Sequence, residues 1–126
     1  MKVVGQSYIL KVQLFSSSND NLWQGINGVN NPCPSGFRLP TEAEWTIEIA
    51  SWTAKNEIGA YASSLKLPRA GTRSNTGTVS LAGSNGYYWT STVDGTRSRA
   101  VVISPTQAVT GTRVRAYGNS VRCIRN

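Results

Sequence analysis

The 126-residue chain contains no histidine, which removes at once the commonest general base and the commonest transition-metal ligand. Its two cysteines, Cys33 and Cys123, cannot complete a zinc site by themselves, and no Cys-x-x-Cys pair occurs. Of six acids, Glu42, Glu44 and Glu48 fall on one predicted helix, where carboxylates in a first turn usually serve the positive end of the macrodipole. The glycine-rich loops that cradle phosphates are absent, as are the Gly-x-Ser-x-Gly nucleophile turn and the clustered acidic loop that calcium requires. These residues argue against catalysis and predict neither a metal nor another cofactor.

What remains is recognition. From Leu65 onward Lys66, Arg69, Arg73, Arg97, Arg99, Arg113, Arg115, Arg122 and Arg125 face one acid, Asp94, whereas the first 64 residues hold four bases and five acids. A basic half of this kind suits nucleic acid, an anionic glycan or an anionic cell surface. It equally suits arginines solvated along strands, because the charges form no run. The composition, 39% hydrophobic and 15% charged with 12 glycines, is that of one folded, loop-rich domain over residues 1–126. No apolar run is long enough to span a membrane. The start, MKVVGQSYILKVQLF, is broken by polar residues at strand spacing, so it reads as a first strand and no secretion signal is visible.

The elements that would position a binding surface follow from periodicity. Residues 2–15 predict a strand with Val4, Tyr8, Leu10, Val12 and Leu14 on one side. Residues 22–37, LWQGINGVNNPCPSGF, predict a long loop tied down by Trp23, Ile26 and Phe37. In RLPTEAEW, Pro40 stops the preceding segment, Thr41 is an N-cap and Glu44 completes a capping box. The helix then runs to about residue 53, burying Trp45, Ile49 and Trp52. A shorter helix covers 56–64, weakened by Gly59. Beyond Leu65, short strands alternate with turns, including YYWTSTV, RAVVIS and SVRCIR, with Asp94-Gly95 as a hairpin turn and a loop before the last strand. Strand, helices, then strands predict an α+β domain with an antiparallel sheet.

Cys33 and Cys123 lie 90 residues apart, one in the long loop and one in the last strand. A disulfide across that span would add roughly 4 kcal/mol through the unfolded state. Two buried thiols would look the same in sequence. The positions at loop and strand ends favour the bond.

Four fragments in order, NNPCPSGFRLPTEAEW, LKLPRAGTR, GYYWTST and NSVRCIRN, resemble the C-type-lectin-fold domains of the Fibrobacter major paralogous type. That group shares a superfamily with formylglycine-generating enzymes and with the variable proteins of diversity-generating retroelements. The resemblance covers about residues 22–126. It implies a C-type lectin fold: antiparallel strands, two helices, a long loop-rich region, and paired N- and C-terminal strands. Formylglycine-generating enzymes use a late pair of metal-binding cysteines where this chain has only Cys123. Trp89 is followed by Thr90 and Ser91, which departs from the calcium-dependent sugar-binding pattern.

The resemblance is most informative in the retroelement branch, where adenine-directed mutagenesis diversifies the C-terminal portion. Asn-type codons then become a mixture containing Tyr, Ser, Thr, Asp, Val, Gly or Arg, without Lys, Glu, Gln, Trp or Met. From Tyr87 onward the chain has no Lys, Glu or Met, and its only Trp and Gln are Trp89 and Gln107. A structural core of Trp45, Trp52, Leu67, Trp89, Ile103 and Val121 would hold strands with tolerant outward positions. The implied ligand-binding, variable residues are Tyr87, Val93, Asp94, Thr96, Ser98, Val101, Ser104, Thr110, Thr112, Val114, Tyr117 and Asn119. Tyr and Arg would supply contact area, and Ser, Thr and Asn adaptable hydrogen bonds. The resemblance thus implies a non-enzymatic receptor-binding domain on a phage, archaeal virus or cell surface, its partner a protein or glycan on a host or environmental surface. A fixed-specificity bacterial surface module of the same fold, or a basic nucleic-acid-binding domain, are the alternatives.

Overall fold

The computed structural model describes residues 9–10 and 19–126. Its elements are β1 (Ile9–Leu10), β2 (Phe37–Arg38), α1 (Glu42–Ser51), α2 (Glu57–Ala62), β3 (Thr72–Arg73), β4 (Val79–Ser80), β5 (Gly86–Asp94), β6 (Arg97–Ile103), β7 (Ala108–Arg113), β8 (Gly118–Asn119) and β9 (Ile124–Arg125). They make an α+β arrangement with three antiparallel sheets, ordered β1-β8-β3-β4, β2-β9 and β5-β6-β7. Among the described residues the N-terminal β1 pairs with β8, close to the C-terminal end, and β9 pairs with β2. The rest of the predicted 2–15 strand lies outside the described residues.

Helix α1 begins as its sequence requires. The Thr41 side chain accepts from the Glu44 N–H, and Glu44 reaches back to the Thr41 N–H at 2.8 Å. The same carboxylate takes two bonds from Arg38, at 2.8 and 2.7 Å, while Arg38 Nε donates to Asn126 Oδ1 at 3.0 Å. Arg38, Thr41 and Glu44 of RLPTEAEW therefore tie the helix start to β2 and to the chain end. The helix stops at Ser51, two residues before the expected end, with Trp52 as an extended C-cap. Helix α2 is likewise shorter than 56–64, started by Asn56, whose side chain accepts from the Ile58 and Gly59 N–H groups. Glycine is required inside α2: a Cβ on Gly59 would lie 1.7 Å from the Ala54 carbonyl oxygen.

The β5-β6-β7 sheet is covered on both faces at its centre. Tyr88, Val101, Ile103 and Ala108 pack with Trp45, Ile49, Trp52 and Leu67 on the helix side. Their strand neighbours Trp89 and Ala100 turn the other way, onto Trp23, Leu39, Val121 and Cys123. Each large apolar side chain buried this way contributes roughly 1.5–3 kcal/mol. Trp23 anchors the long loop, as expected, whereas Ile26 is 39% exposed and does not. The Cys33–Cys123 disulfide fastens that loop to the second core cluster, with Cα atoms 5.8 Å apart.

Two departures from the sequence reading occur in the hairpins. The segment read as a loop after Ser104 contains β7, paired with β6 from Ile103↔Ala108 to Ser98↔Arg113. The β5–β6 turn has Gly95 and Thr96 as its central residues, since Asp94 still pairs with Arg97. Gly95 at φ +57° supplies the left-handed first position that such two-residue turns favour.

Candidate ligand-binding surface

The hydroxyl-rich run Thr90-Ser91-Thr92 makes a bulge. Pairing passes from Trp89↔Ala100 to Val93↔Ser98, so three residues of β5 stand opposite Arg99 alone. Their polar groups are spent on architecture. Thr90 Oγ1 donates to the Arg99 carbonyl at 2.9 Å and accepts from the Thr92 N–H at 3.1 Å. The Ser91 N–H donates to the Pro40 carbonyl at 2.9 Å, and the Ser91 carbonyl accepts from Gln24 Nε2 at 2.6 Å. Thr92 Oγ1 accepts from the Glu42 N–H at 2.9 Å, joining the hairpin to the first turn of α1.

Charge completes the junction. Arg99 donates from Nε and Nη2 to Glu42 Oε1 at 2.9 and 2.7 Å, and its Nη1 lies 3.6 Å from Asp94 Oδ2. The Arg99 hydrogen bonds, then that of Thr110, hold the Glu42 carboxyl below the usual carboxylate range. Arg115, only 7% exposed, grips the hairpin tip: it donates to the Arg97 carbonyl at 3.1 Å, the Gly95 carbonyl at 2.9 Å and Asp20 Oδ1 at 2.6 Å. The Asp20–Arg115, Glu42–Arg99 and Glu57–Arg69 pairs all join the acidic first half to the basic second half. Three of the nine bases after Leu65 are thus matched by acids of the first half, and the chain keeps its net charge of +7.

This frame sorts the twelve candidate contact residues. Four are corrected to the interior: Tyr87 is 6% exposed, and Ser98, Val101 and Asn119 are 0%. Val101 lies under α1, and Tyr87 is covered by the Arg113 guanidinium 4.4 Å from its ring. Ser98 sits mid-sheet between Val93 and Arg113, and Asn119 accepts from Thr72 Oγ1 at 2.7 Å. Of the other eight, Asp94, Thr96, Thr112 and Val114 are exposed and Val93, Thr110, Ser104 and Tyr117 half-buried. Register gathers Val93, Asp94, Thr96, Thr112 and Val114 toward the Gly95–Thr96 end of the sheet, while Thr110 pairs with Val101 at mid-sheet. Ser104 sits at the opposite end, in the β6–β7 turn. Tyr117 sits with its ring 5.2 Å from the Arg113 guanidinium.

Beside the gathered set lies an open groove of about 590 Å³ lined by Thr41, Glu42, Ala43, Thr46, Ile47 and Thr92. Ile47 is 71% exposed there. Sequence reasoning missed Ile47, Glu42 and Arg99 as parts of this surface. Ile47 carried a signal, being an apolar residue off the Trp45–Ile49–Trp52 stripe; Glu42 and Arg99, 57 positions apart, carried none. Among the described residues no group of three or more His, Cys, Asp or Glu side chains could hold a metal ion. No helix among them is long and apolar enough to cross a membrane.

Compared with known proteins, the chain matches no family model, no curated protein and no solved structure.

Proposed function

We propose that the chain is a non-enzymatic ligand-binding domain of C-type lectin fold, most similar to the variable proteins of diversity-generating retroelements. It presents the Gly95–Thr96 end of the β5-β6-β7 sheet and the adjoining α1 groove to a protein or glycan on a host or environmental surface, from a virion or cell surface. One observation carries this reading. The bulge, the Arg99–Glu42 pair and Arg115 hold the end of the sheet through interior and junction groups, leaving Asp94, Thr96, Thr112 and Val114 with exposed side chains. Such positions tolerate exchange, because surface substitutions away from special features usually stay within about 0.5 kcal/mol. The Cys33–Cys123 link and the RLPTEAEW network add support, being placed where the resemblance implies a rigid frame.

The genetic locus tests the retroelement part. A neighbouring reverse-transcriptase gene and a near-copy of the 3′ end differing only at adenines are expected, with the differing codons at exposed positions. Their absence leaves the fixed-specificity module. A library varied at Thr96, Thr112 and Val114 tests the display part: most members should fold with wild-type melting temperatures and yield binders to an arbitrary target. A library that mostly fails to fold would refute it. Nucleic-acid binding fits less well, since the arginines of the basic half mostly meet acids, carbonyls or aromatic rings of the chain itself. It would show as steeply salt-dependent retention on DNA or RNA.

A further inference from the structure

A second concave surface lies away from the displayed end. The N–H of Glu57 at the start of α2 donates to the Ser104 carbonyl at 3.0 Å, which places this helix beside the β6–β7 turn, at the far end of the sheet from Gly95. Between α2, the 65–70 segment and the turn after β4 is a groove of about 630 Å³, a volume within the roughly 300–1,000 Å³ usual for small-molecule sites.

The walls of this groove are built. Ile58 and Tyr61, three residues apart on α2, present 66% and 64% of their surface along one side. Leu67 and Pro68 make the floor, and the segment carrying them is fastened from beneath. The Tyr88 hydroxyl donates to the Pro68 carbonyl at 2.6 Å, and the Leu67 N–H donates to the Ala60 carbonyl at 3.2 Å. Arg122, 3% exposed, donates to the Leu65 and Lys66 carbonyls. Burying a guanidinium to hold two loop carbonyls is costly, and here it fixes the turn that aims Lys66. That turn is strained: Lys66 has φ +49°. This residue is one of two non-glycine residues with positive φ among those described, and it lines this groove.

The rim is electrostatically uneven. Glu57 is matched by Arg69. Lys66 meets no carboxylate among the described residues; its Nζ lies 5.9 Å from the Tyr61 ring centre and 3.4 Å from the Ala62 carbonyl. All six acids of the chain fall within residues 19–126, so residues 1–18 supply no side-chain counter-ion. The groove thus offers an aromatic face, an aliphatic wall and one unmatched ammonium.

We propose that this groove binds a small monoanionic ligand with a flat apolar body, of the aryl carboxylate or aryl sulfonate class, its ring against Tyr61 and Ile58 and its anionic group on Lys66 Nζ. The inference is independent of the display reading, since the site shares no residue with the displayed end.

Two dyes that share an aromatic body separate the contributions. 1-Anilinonaphthalene-8-sulfonate carries the anionic group, and N-phenyl-1-naphthylamine lacks it. Fluorescence titration of the intact protein should show one saturable site for both, with the sulfonate bound up to about fivefold more tightly, as expected for one exposed charge contact. Lys66→Asn should abolish that preference while leaving the neutral dye unchanged; Asn suits the left-handed backbone there, so the melting temperature should hold. Tyr61→Ala should weaken both dyes, and Thr112→Asp at the other end should weaken neither. Absence of saturable binding, a preference that survives Lys66→Asn, or indifference to Tyr61→Ala would overturn the proposal. So would a Tyr61-dependent dimer in sedimentation without dye binding, which would assign the groove to a second copy of the chain.

Discussion

The Arg38–Glu44 pair makes a prediction that acid titration can isolate. The two hydrogen bonds from Arg38, and then the Thr41 N–H, hold the Glu44 carboxyl at about 2 instead of 4.5, against an opposing effect of burial. By linkage a carboxyl so shifted would contribute about 3.4 kcal/mol if fully shielded from water. The Glu44 side chain is 38% exposed, so screening reduces this to about 1.5–2 kcal/mol. Because the folded value is the lower one, the contribution is complete above pH 4.5 and disappears as pH falls toward 2. Glu44→Gln keeps an oxygen for the Thr41 N–H, so it removes the ion pair while leaving the cap. Urea unfolding of wild type and Glu44→Gln should therefore differ by about 1.5–2 kcal/mol at pH 7 and converge near pH 2. Glu42 is also held low, by Arg99, and its titration is common to both proteins and cancels in the difference. A gap that stays constant from pH 7 to pH 2, or one already below about 0.5 kcal/mol at pH 7, would refute the assignment of Glu44 as an ionised anchor.

Three further substitutions probe the frame. Replacing Cys33 and Cys123 by serine opens a 90-residue separation and should lower unfolding free energy by about 4–5 kcal/mol, read by denaturant titration; a loss below about 1 kcal/mol would deny the crosslink its part in holding the long loop. Gly59→Ala improves helix propensity by about 1 kcal/mol yet should destabilise by about 2 kcal/mol or more, because its Cβ would meet the Ala54 carbonyl oxygen at 1.7 Å; an unchanged melting temperature would contradict that contact. Arg115→Ala should cost about 1.5–3 kcal/mol and speed amide exchange at the hairpin tip, whereas Asp20→Asn, at a carboxylate 52% exposed, should cost less than about 1 kcal/mol; equal effects would shift the anchor from the two carbonyls to the ion pair.

The elements were legible where the signal was local. The capping box in RLPTEAEW, the Trp45–Ile49–Trp52 stripe and the buried Trp89 each follow from spacing within a few residues, and each is present. What sequence could not reveal depended on partners far along the chain. β7 was hidden because Gly111 breaks its apolar run, and its identity as a strand comes from β6. The pairing of β9 with β2 joins Phe37 to Arg125, far apart in sequence, which no local pattern encodes. The basic second half suits an external anion or solvated strand arginines equally well in sequence, and only the fold sets Asp20, Glu42 and Glu57 against Arg115, Arg99 and Arg69.

The errors in the candidate surface have one geometric origin. Choosing contact residues by alternation assumes a sheet with one wet face. Here Trp45 and Ile49 cover one side of β5 and β6, while Trp23, Leu39 and Val121 cover the other, so Gly86 to Ser91 are buried without interruption. Alternation then distinguishes two cores instead of core from solvent, and Tyr87 and Val101 are buried on opposite faces. The bulge at Thr90–Thr92 changes the pairing register before the strand leaves this double cover, and exposure begins only past it, at Asp94. A rule that reads tolerance from sequence must therefore ask how far a position lies beyond the doubly covered segment, not which parity it has. By that rule the hairpin tip and the outer half of β7 are the places where side chains can change while Trp89 cannot.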